Sequence, residues 1–313
     1  MANVRPLSNE LQNKSIKVLN ENPKKIKEDI ESIRKWLKKQ PHLVFNLDDQ
    51  IILTFLRGCK FNYEITKQKL DAFYSIKTLI SEYFSNRDPF SSDIQCVLKN
   101  ARFWLPLPKS SDPLAPRLFY HYGKPFEASE NVDFVAFVKT TLIILEILLH
   151  EDDSFIINGY SVIQYANGFS PSHLPQITIK MIKDTYTCIL KRYPLRLQQI
   201  LFMDAPSSVR FLYNLSKPFF SQKFQSRVHF YDYDDYKKLH SIYPKHELPI
   251  ELGGESYSVQ TILAEWISKI EGRRKWLVED EKIRSDEAKR IANINGYLDC
   301  FGVDGSFKKI EID

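Results

Sequence analysis

The chain opens on helical periodicity. In Pro23–Gln40, Ile26, Ile30, Ile33 and Leu37 form one apolar stripe with Lys24, Lys35, Lys38 and Lys39 outside it, which predicts a helix packed along a single face. Pro23 suits its first turn and Pro41 stops it. Asp48 and Asp49 put acids at the start of a second helix, DDQIILTFLRGC, where the helix dipole favours negative charge. Asn62 can cap a third, running through Phe84 with Ile65, Leu70, Phe73, Ile76 and Ile80 on its core side. Residues 1–90 therefore read as a small helical bundle. Asp88–Pro116, rich in Pro and Ser, reads as the junction to a second unit.

Beyond the junction the rhythm changes. Arg117–Tyr122 reads as a strand, Val132–His150 as a largely apolar helix, Ser154–Ala166 as a second strand and His173–Lys191 as a helical stretch. Arg196–Met203 is a third strand and Val228–Tyr231 a short fourth. Between these two, Ser207–Gln225 is helical and aromatic, divided by Pro218 into two pieces. Helical stretches over about Ser258–Gly272 and Arg274–Ala292 follow. Strands alternating with helices predict an α/β unit over 91–272 with a mixed or parallel sheet, then a C-terminal helix and tail at 273–313.

Composition removes several classes. With 43% apolar residues, 21 Phe and 16 Tyr, the chain has ample material for a core and is not disordered. Cys59, Cys96, Cys188 and Cys300 are widely scattered, so reduced thiols are expected rather than a disulfide framework or zinc site. The opening MANVRPLSNELQNKS has no apolar signal region. The apolar run Thr141–Leu149 is about half a membrane span and is interrupted by Glu146. A soluble, cytoplasmic protein is expected.

The net charge of +5 is uneven: residues 1–40 hold ten Lys/Arg against five Asp/Glu, and the remainder balances. Within that remainder, 191–227 carries Lys191, Arg192, Arg196, Arg210, Lys217, Lys223 and Arg227 against the single acid Asp204. Such a window suits an anionic surface.

Catalytic signatures are missing. No GxSxG, Walker loop, GxGxxG or HExxH occurs. Ser170, Ser172 and His173 lie too close in sequence for a nucleophile and its base, and read as a turn with capping hydroxyls. The seven His show no metal-ligand spacing, and Asp232, Asp234 and Asp235 lack the glycine and glutamate of a calcium loop. No enzyme, metal or cofactor is expected. No nucleic-acid module accompanies the basic windows. The informative segment is 204–231, in which Phe211, Leu212, Leu215, Phe219, Phe220 and Phe224 alternate with Arg210, Lys217, Lys223 and Arg227. Amphipathic, basic and aromatic together, it is suited to lie on an anionic membrane.

Several spaced motifs then resemble one family. Asp48-Asp-Gln-Ile-Ile-Leu-Thr-Phe-Leu-Arg57-Gly-Cys-Lys60-Phe, Gly168-Phe-Ser-Pro-Ser-His-Leu, Tyr193-Pro-Leu-Arg196, Lys217-Pro-Phe-Phe-Ser-Gln-Lys223 and Leu248-Pro-Ile-Glu-Leu-Gly253-Gly254 occur in the order of the CRAL-TRIO lipid-transfer proteins. That is the family of alpha-tocopherol transfer protein, cellular retinaldehyde-binding protein and the clavesins. The ending Gly305–Asp313 is similar to the tail of arthropod members. The resemblance implies a helical bundle before an α/β domain, with one hydrophobic ligand held between the sheet and a lid at about Asp204–Arg227.

By the same resemblance the pocket candidates are Ile163, Tyr165, Ile182, Tyr186, Ile189, Ile200 and Phe202, closed from the lid by Leu212, Leu215 and Phe219. Phe219, Phe220 and Phe224 are the expected membrane-facing lid residues, and Arg196, Lys217, Lys223 and Arg227 the expected phosphoinositide or anionic-lipid donors. Two departures stand out. Gln198 occupies a position that is basic in the tocopherol carrier, and Tyr165-Ala166-Asn167-Gly168 replaces an Asp-Leu-Glu-Gly run. Arg57 is expected to brace the two units through a buried carboxylate. The implied function is a monomeric cytosolic carrier of a retinoid, tocopherol, carotenoid, sterol or related isoprenoid, transiently on membranes. The alternatives are a phosphoinositide or phospholipid exchanger or sensor, and a membrane-docking interaction module.

Overall fold

In a computed structural model, residues 3–45, 48–121, 127, 131–165, 169–232 and 236–291 are described. Tyr122, Ala166, Asn167, Gly168, Asp234, Asp235, Ala292 and the 305–313 tail, all invoked above, lie outside them. Helix α1 (Asn9–Leu19) starts at Ser8, whose hydroxyl accepts from Leu11 N. In α2 (Ile26–Leu37) the stripe Ile30, Ile33 and Leu37 is buried as its spacing requires. Asp48 caps α3 (Asp49–Gly58) and Asn62 caps α4 (Tyr63–Leu79), each side chain accepting from a first-turn N–H. The third helix ends earlier than Phe84, in a 3₁₀ turn at Ser81–Tyr83. Ile65, in the first turn of α4, is exposed rather than core-facing. Gly58 is required where it stands, because a Cβ there would come within 2.2 Å of the Pro194 carbonyl oxygen.

The stretch read as a junction is partly ordered as α5 (Ser92–Lys99) and β1 (Leu105–Pro106). After β2 (Arg117–His121) comes the buried helix α6 (Phe134–Glu151). The expected strand Ser154–Ala166 instead begins as α7 (Asp153–Asn158), because the Asp152 carboxylate accepts from Ser154 N and Phe155 N. Gly159, at φ 81°, ends that helix, and only then does β3 (Tyr160–Tyr165) start. The stretch 173–191 resolves into a 3₁₀ turn, then α8 (Ile179–Tyr186), which runs on as a π-helical turn over Thr187–Arg192. Strand β4 (Leu197–Met203) leads to α9 (Ser207–Ser216) and α10 (Gln222–Gln225), separated around Pro218 as expected. Strand β5 (Val228–Tyr231) is followed by α11 (Tyr236–Ile242), α12 (Val259–Gly272) and α13 (Arg274–Asp280), the last shorter than anticipated.

The five strands lie in the order β1-β2-β3-β4-β5, with only the β1–β2 pair antiparallel among them. Parallel neighbours in sequential order are joined by crossovers that are almost always right-handed, so α6, α8 and α9 come to one face of the sheet. Two registered rows run across that face: Phe119, Val162, Ile200 and Val228, then His121, Gln164, Phe202 and Phe230.

Two ion-pair networks fix the helices to this core. Arg57, fully buried, pairs through Nε with Glu21 at 2.8 Å and through Nη1 with Asp153 at 2.8 Å, so it braces the N-terminal helices against α7 as expected. Arg87 pairs with Glu146 of α6 at 2.5 Å and with Asp280 of α13 at 2.9 Å, while Lys77 reaches Asp280 at 2.7 Å. Tyr193 adds a hydroxyl bond to Glu146 at 2.7 Å. Burial alone would raise the Glu146 pKa, yet Arg87 and Lys77 hold it down to about 2. Arg87→Met should therefore leave two buried carboxylates short of their cation and cost about 3–5 kcal/mol in urea unfolding. A loss under about 1 kcal/mol would mean that the network does not clamp the fold.

Candidate functional site

A cavity of about 320 Å³ opens on the helix-covered face of the sheet. Its floor is the His121–Gln164–Phe202 row, its sides are Phe134 and Phe137 of α6 with Val97 of α5 and Trp104, and its roof is Ile177, Ile182, Val209 and Leu212. A neighbouring chamber of about 190 Å³ shares Ile182, Phe202, Val209 and Leu212, and continues to Ile200, Tyr213, Phe220, Phe224 and Val228. The two form one apolar passage beneath α9 and α10. A volume of this order suits a small organic molecule.

The sequence candidates separate by strand and helix parity. Ile182, Phe202 and Leu212 line the main cavity, and Ile200 lines the adjoining chamber. Ile163 and Tyr165 do not, because side chains alternate along β3 and Gln164 takes the cavity face. Tyr165 packs instead against Tyr120, ring to ring at 5.8 Å. Ile189 is buried in the π-helical turn that packs on α4. Tyr186 is a fastening for the cover: its ring meets Phe220 at 4.9 Å and Phe224 at 5.1 Å, and its hydroxyl bonds Ser221. Leu215 and Phe219 point outward, exposed by 49% and 46%, in line with Phe211 at 56%. Phe220 and Phe224 point inward while the cover is closed. The outer row Phe211, Leu215, Phe219 has four-residue spacing, a signal present in the sequence. Lys183 sits 5.7 Å over the Phe219 ring.

The cationic candidates fall into two places. Lys217 and Lys223 are exposed on the cover. Arg196 and Arg227 lie together where β4 and β5 begin, and Arg227 donates to the Leu197 carbonyl. Burial, with the Arg227 charge beside it, lowers the Arg196 pKa, and burial with Arg196 lowers that of Lys14 from α1. Gln198 donates to the Asn158 carbonyl at 2.9 Å and so takes a structural part.

Ser170 and His173 form the expected capping turn, with Ser170 N donating to His173 Nδ1 at 2.9 Å. Sequence reasoning missed Trp104, Arg102, His121, Phe134, Phe137 and Gln164 as cavity residues. Trp104 Nε1 donates to Gln164 Oε1 at 3.1 Å, and the Gln164 amide lies 2.6 Å from His121 Nδ1. Burial holds the His121 pKa down to about 4, leaving a neutral imidazole at the cavity floor. Among the described residues no His/Cys/Asp/Glu group could hold a metal, and no helix is long and apolar enough to cross a membrane.

A largely parallel sheet, helices on one face and an apolar passage under a two-piece cover define an α/β fold built around an apolar chamber. Residues 112–254 match the CRAL/TRIO domain, and residues 22–94 match the Pinta-like UBA domain. The α/β unit is thus a CRAL/TRIO domain. It is 27% identical to Clavesin-1 of Xenopus laevis over 75% of this chain and 70% of that protein. It is 26% identical to the alpha-tocopherol transfer protein-like protein of Mus musculus, over 83% of this chain and 74% of that one. The crystal structure of Sfh5 aligns with 88% of this chain and 100% of its own, at 14% identity and a TM-score of 0.47.

The neutral His121 has a consequence for acid stability. As pH falls through about 6.5 the unfolded chain takes up a proton at this ring, whereas the folded chain does so only near 4. This group's contribution is therefore intact above pH 7 and is lost between about 6.5 and 4. The wild type should lose unfolding free energy more steeply across that window than His121→Leu. Parallel slopes for the two proteins would show that the ring titrates normally in the fold.

Proposed function

We propose that this protein is a carrier that holds a hydrophobic ligand in the passage between sheet and cover, and exchanges it with membranes by opening α9 and α10 as a lid. The observation that carries the reading is the division of one segment into two apolar faces. Leu212, Phe220 and Phe224 close the cavity, while Phe211, Leu215 and Phe219 meet solvent beside Lys217 and Lys223. An outer row of this kind inserts into the headgroup boundary, and the lysines add attraction to anionic lipid. Opening would then turn Phe220 and Phe224 toward the bilayer as well, so the ligand would pass between two apolar environments. At about 25 cal/mol per Å² of apolar surface, this avoids the large cost of exposing an isoprenoid or sterol skeleton to water. No covalent chemistry is required. In this reading the protein is a cytoplasmic monomer that visits membranes, and its cargo is a retinoid, tocopherol, carotenoid, sterol or related isoprenoid.

The same reading gives Arg196, Arg227, Lys217 and Lys223 an anionic headgroup, a phosphoinositide being the natural candidate. What favours it is the pairing of Arg196 and Arg227 against their mutual repulsion, which a bound anion would relieve.

Two experiments test the carrier reading. Leu212→Trp should fill the cavity and cut the amount of bound lipid at least fivefold, whereas Leu215→Trp should leave capacity unchanged. Equal capacity in both variants would place the ligand elsewhere. Phe211→Ser combined with Phe219→Ser should reduce co-sedimentation with anionic vesicles by at least tenfold, since each large apolar side chain contributes about 1.5–3 kcal/mol when buried. Vesicle binding at the wild-type level would remove the outer row from the docking surface.

A further inference from the structure

The cavity floor contains one polar atom that the protein leaves unused. Trp104 Nε1 is spent on Gln164 Oε1, and Thr185 Oγ1 donates to the Met181 carbonyl. Asp133 Oδ1 caps Ala136 N, and Arg102 has partners within the protein. His121, only 7% exposed, has Nδ1 at 2.7 Å from the Tyr165 carbonyl oxygen and 2.6 Å from the Gln164 amide nitrogen. Its Nε2 has no hydrogen-bond partner among the described residues, while Phe137 packs edge-on against the ring at 5.6 Å.

Those two neighbours make opposite demands on Nδ1. A carbonyl oxygen only accepts, so it calls for a proton on Nδ1, whereas the Gln164 amide N–H calls for a lone pair there. The tautomer decides whether Nε2 is an acceptor or a donor. A hydroxyl both donates and accepts, so it satisfies Nε2 in either state. A carboxylate or an ester carbonyl only accepts and is matched in one of them. The neutral ring also offers no positive charge to a carboxylate, and desolvating an unpaired charge in this apolar space is costly.

We propose that His121 Nε2, held by Gln164 and the Tyr165 carbonyl, anchors the hydroxyl of an uncharged lipid alcohol and selects it over its hydrocarbon and its carboxylic acid. The proposal rests on the carrier reading. Trp104 is a positioning residue here, since it acts by fixing the Gln164 amide.

The test uses the full chain and two probe sets: cholesterol with cholestene, and retinol with its deoxy hydrocarbon and retinoic acid. Each is titrated against wild type, His121→Leu and His121→Gln, with folding checked by circular dichroism. Wild type should bind each alcohol about tenfold more tightly than its hydrocarbon, the worth of a buried hydrogen bond. His121→Leu should abolish that preference, and His121→Gln should restore part of it. In wild type alone, the ¹⁵N resonance of His121 Nε2 should move with the alcohol and stay fixed with the hydrocarbon, which keeps the test independent of whether His121→Leu folds. Equal affinity for alcohol and hydrocarbon, a preference that survives in His121→Leu, an unmoved resonance, or tighter binding of retinoic acid would each overturn the anchor while the carrier stands. Failure of every probe to bind saturably would overturn the carrier reading and the anchor with it.

Discussion

The architecture depends on placing charge where water cannot reach. Glu21, Glu146 and the two arginines Arg57 and Arg87 are almost completely buried. Taking such groups out of water costs several kcal/mol each unless partners meet them in close geometry. Arg57 meets that condition by linking the chain between α1 and α2 to α7, and Arg87 by linking α6 to α13. Because the partners come from distant parts of the sequence, neither charge is satisfied until the parts are assembled. The helical front and the sheet are held as one body as a result. The cover over the cavity is tied down differently. Tyr186 grips it with two rings and a hydroxyl, Ser208 donates to the Phe169 carbonyl, and Arg210 pairs with Asp232 at the solvent-exposed edge. Contacts of this kind, neutral or between solvent-exposed charges, can be broken without stranding a buried charge. The fold thus has a costly side to open and a cheap one, and the cavity lies under the cheap one.

The cavity inherits its character from topology. Sequential parallel strands carry their crossover helices to one face, so apolar helix faces meet apolar strand faces around a common space. Polar side chains that reach this space are mostly turned back into the protein, as with Thr185 and Gln164. What remains is an apolar chamber with a histidine at its floor. In the proposed carrier, shape and that floor together would decide which molecules stay.

Much of this was legible in the sequence, and the remainder was hidden for identifiable reasons. Caps announced α3 and α4, Pro218 announced the break between α9 and α10, and the spaced motifs announced the CRAL/TRIO domain. The cavity face of β3 was not legible, because a strand buried on both sides is apolar at consecutive positions and its parity gives no sign. YSVIQY has two polar residues of opposite parity, Ser161 and Gln164, and of these it is Gln164 that takes the cavity face. Likewise α9 is apolar on more than one side, so Leu212 and Leu215, three residues apart, looked equivalent although Leu212 lines the cavity and Leu215 is exposed at its margin. The Ser154–Ala166 stretch deceived because its apolar run continues through Gly159, and only the Asp152 cap and the positive φ separate helix from strand. The wall formed by Val97, Arg102 and Trp104 was missed because Pro and Ser made its surroundings read as a linker.

The spacing of Phe211, Leu215 and Phe219 has a kinetic side. Eight residues at about 1.5 Å each make an outer row only about 12 Å long, so in the proposed carrier three side chains would meet the headgroup boundary at one visit. In that reading a contact of three side chains would give a brief dwell on any one bilayer. For a shuttle, brevity is an advantage: each visit need last only long enough for one exchange, and a deeper anchor would raise occupancy of the membrane while lowering the number of trips.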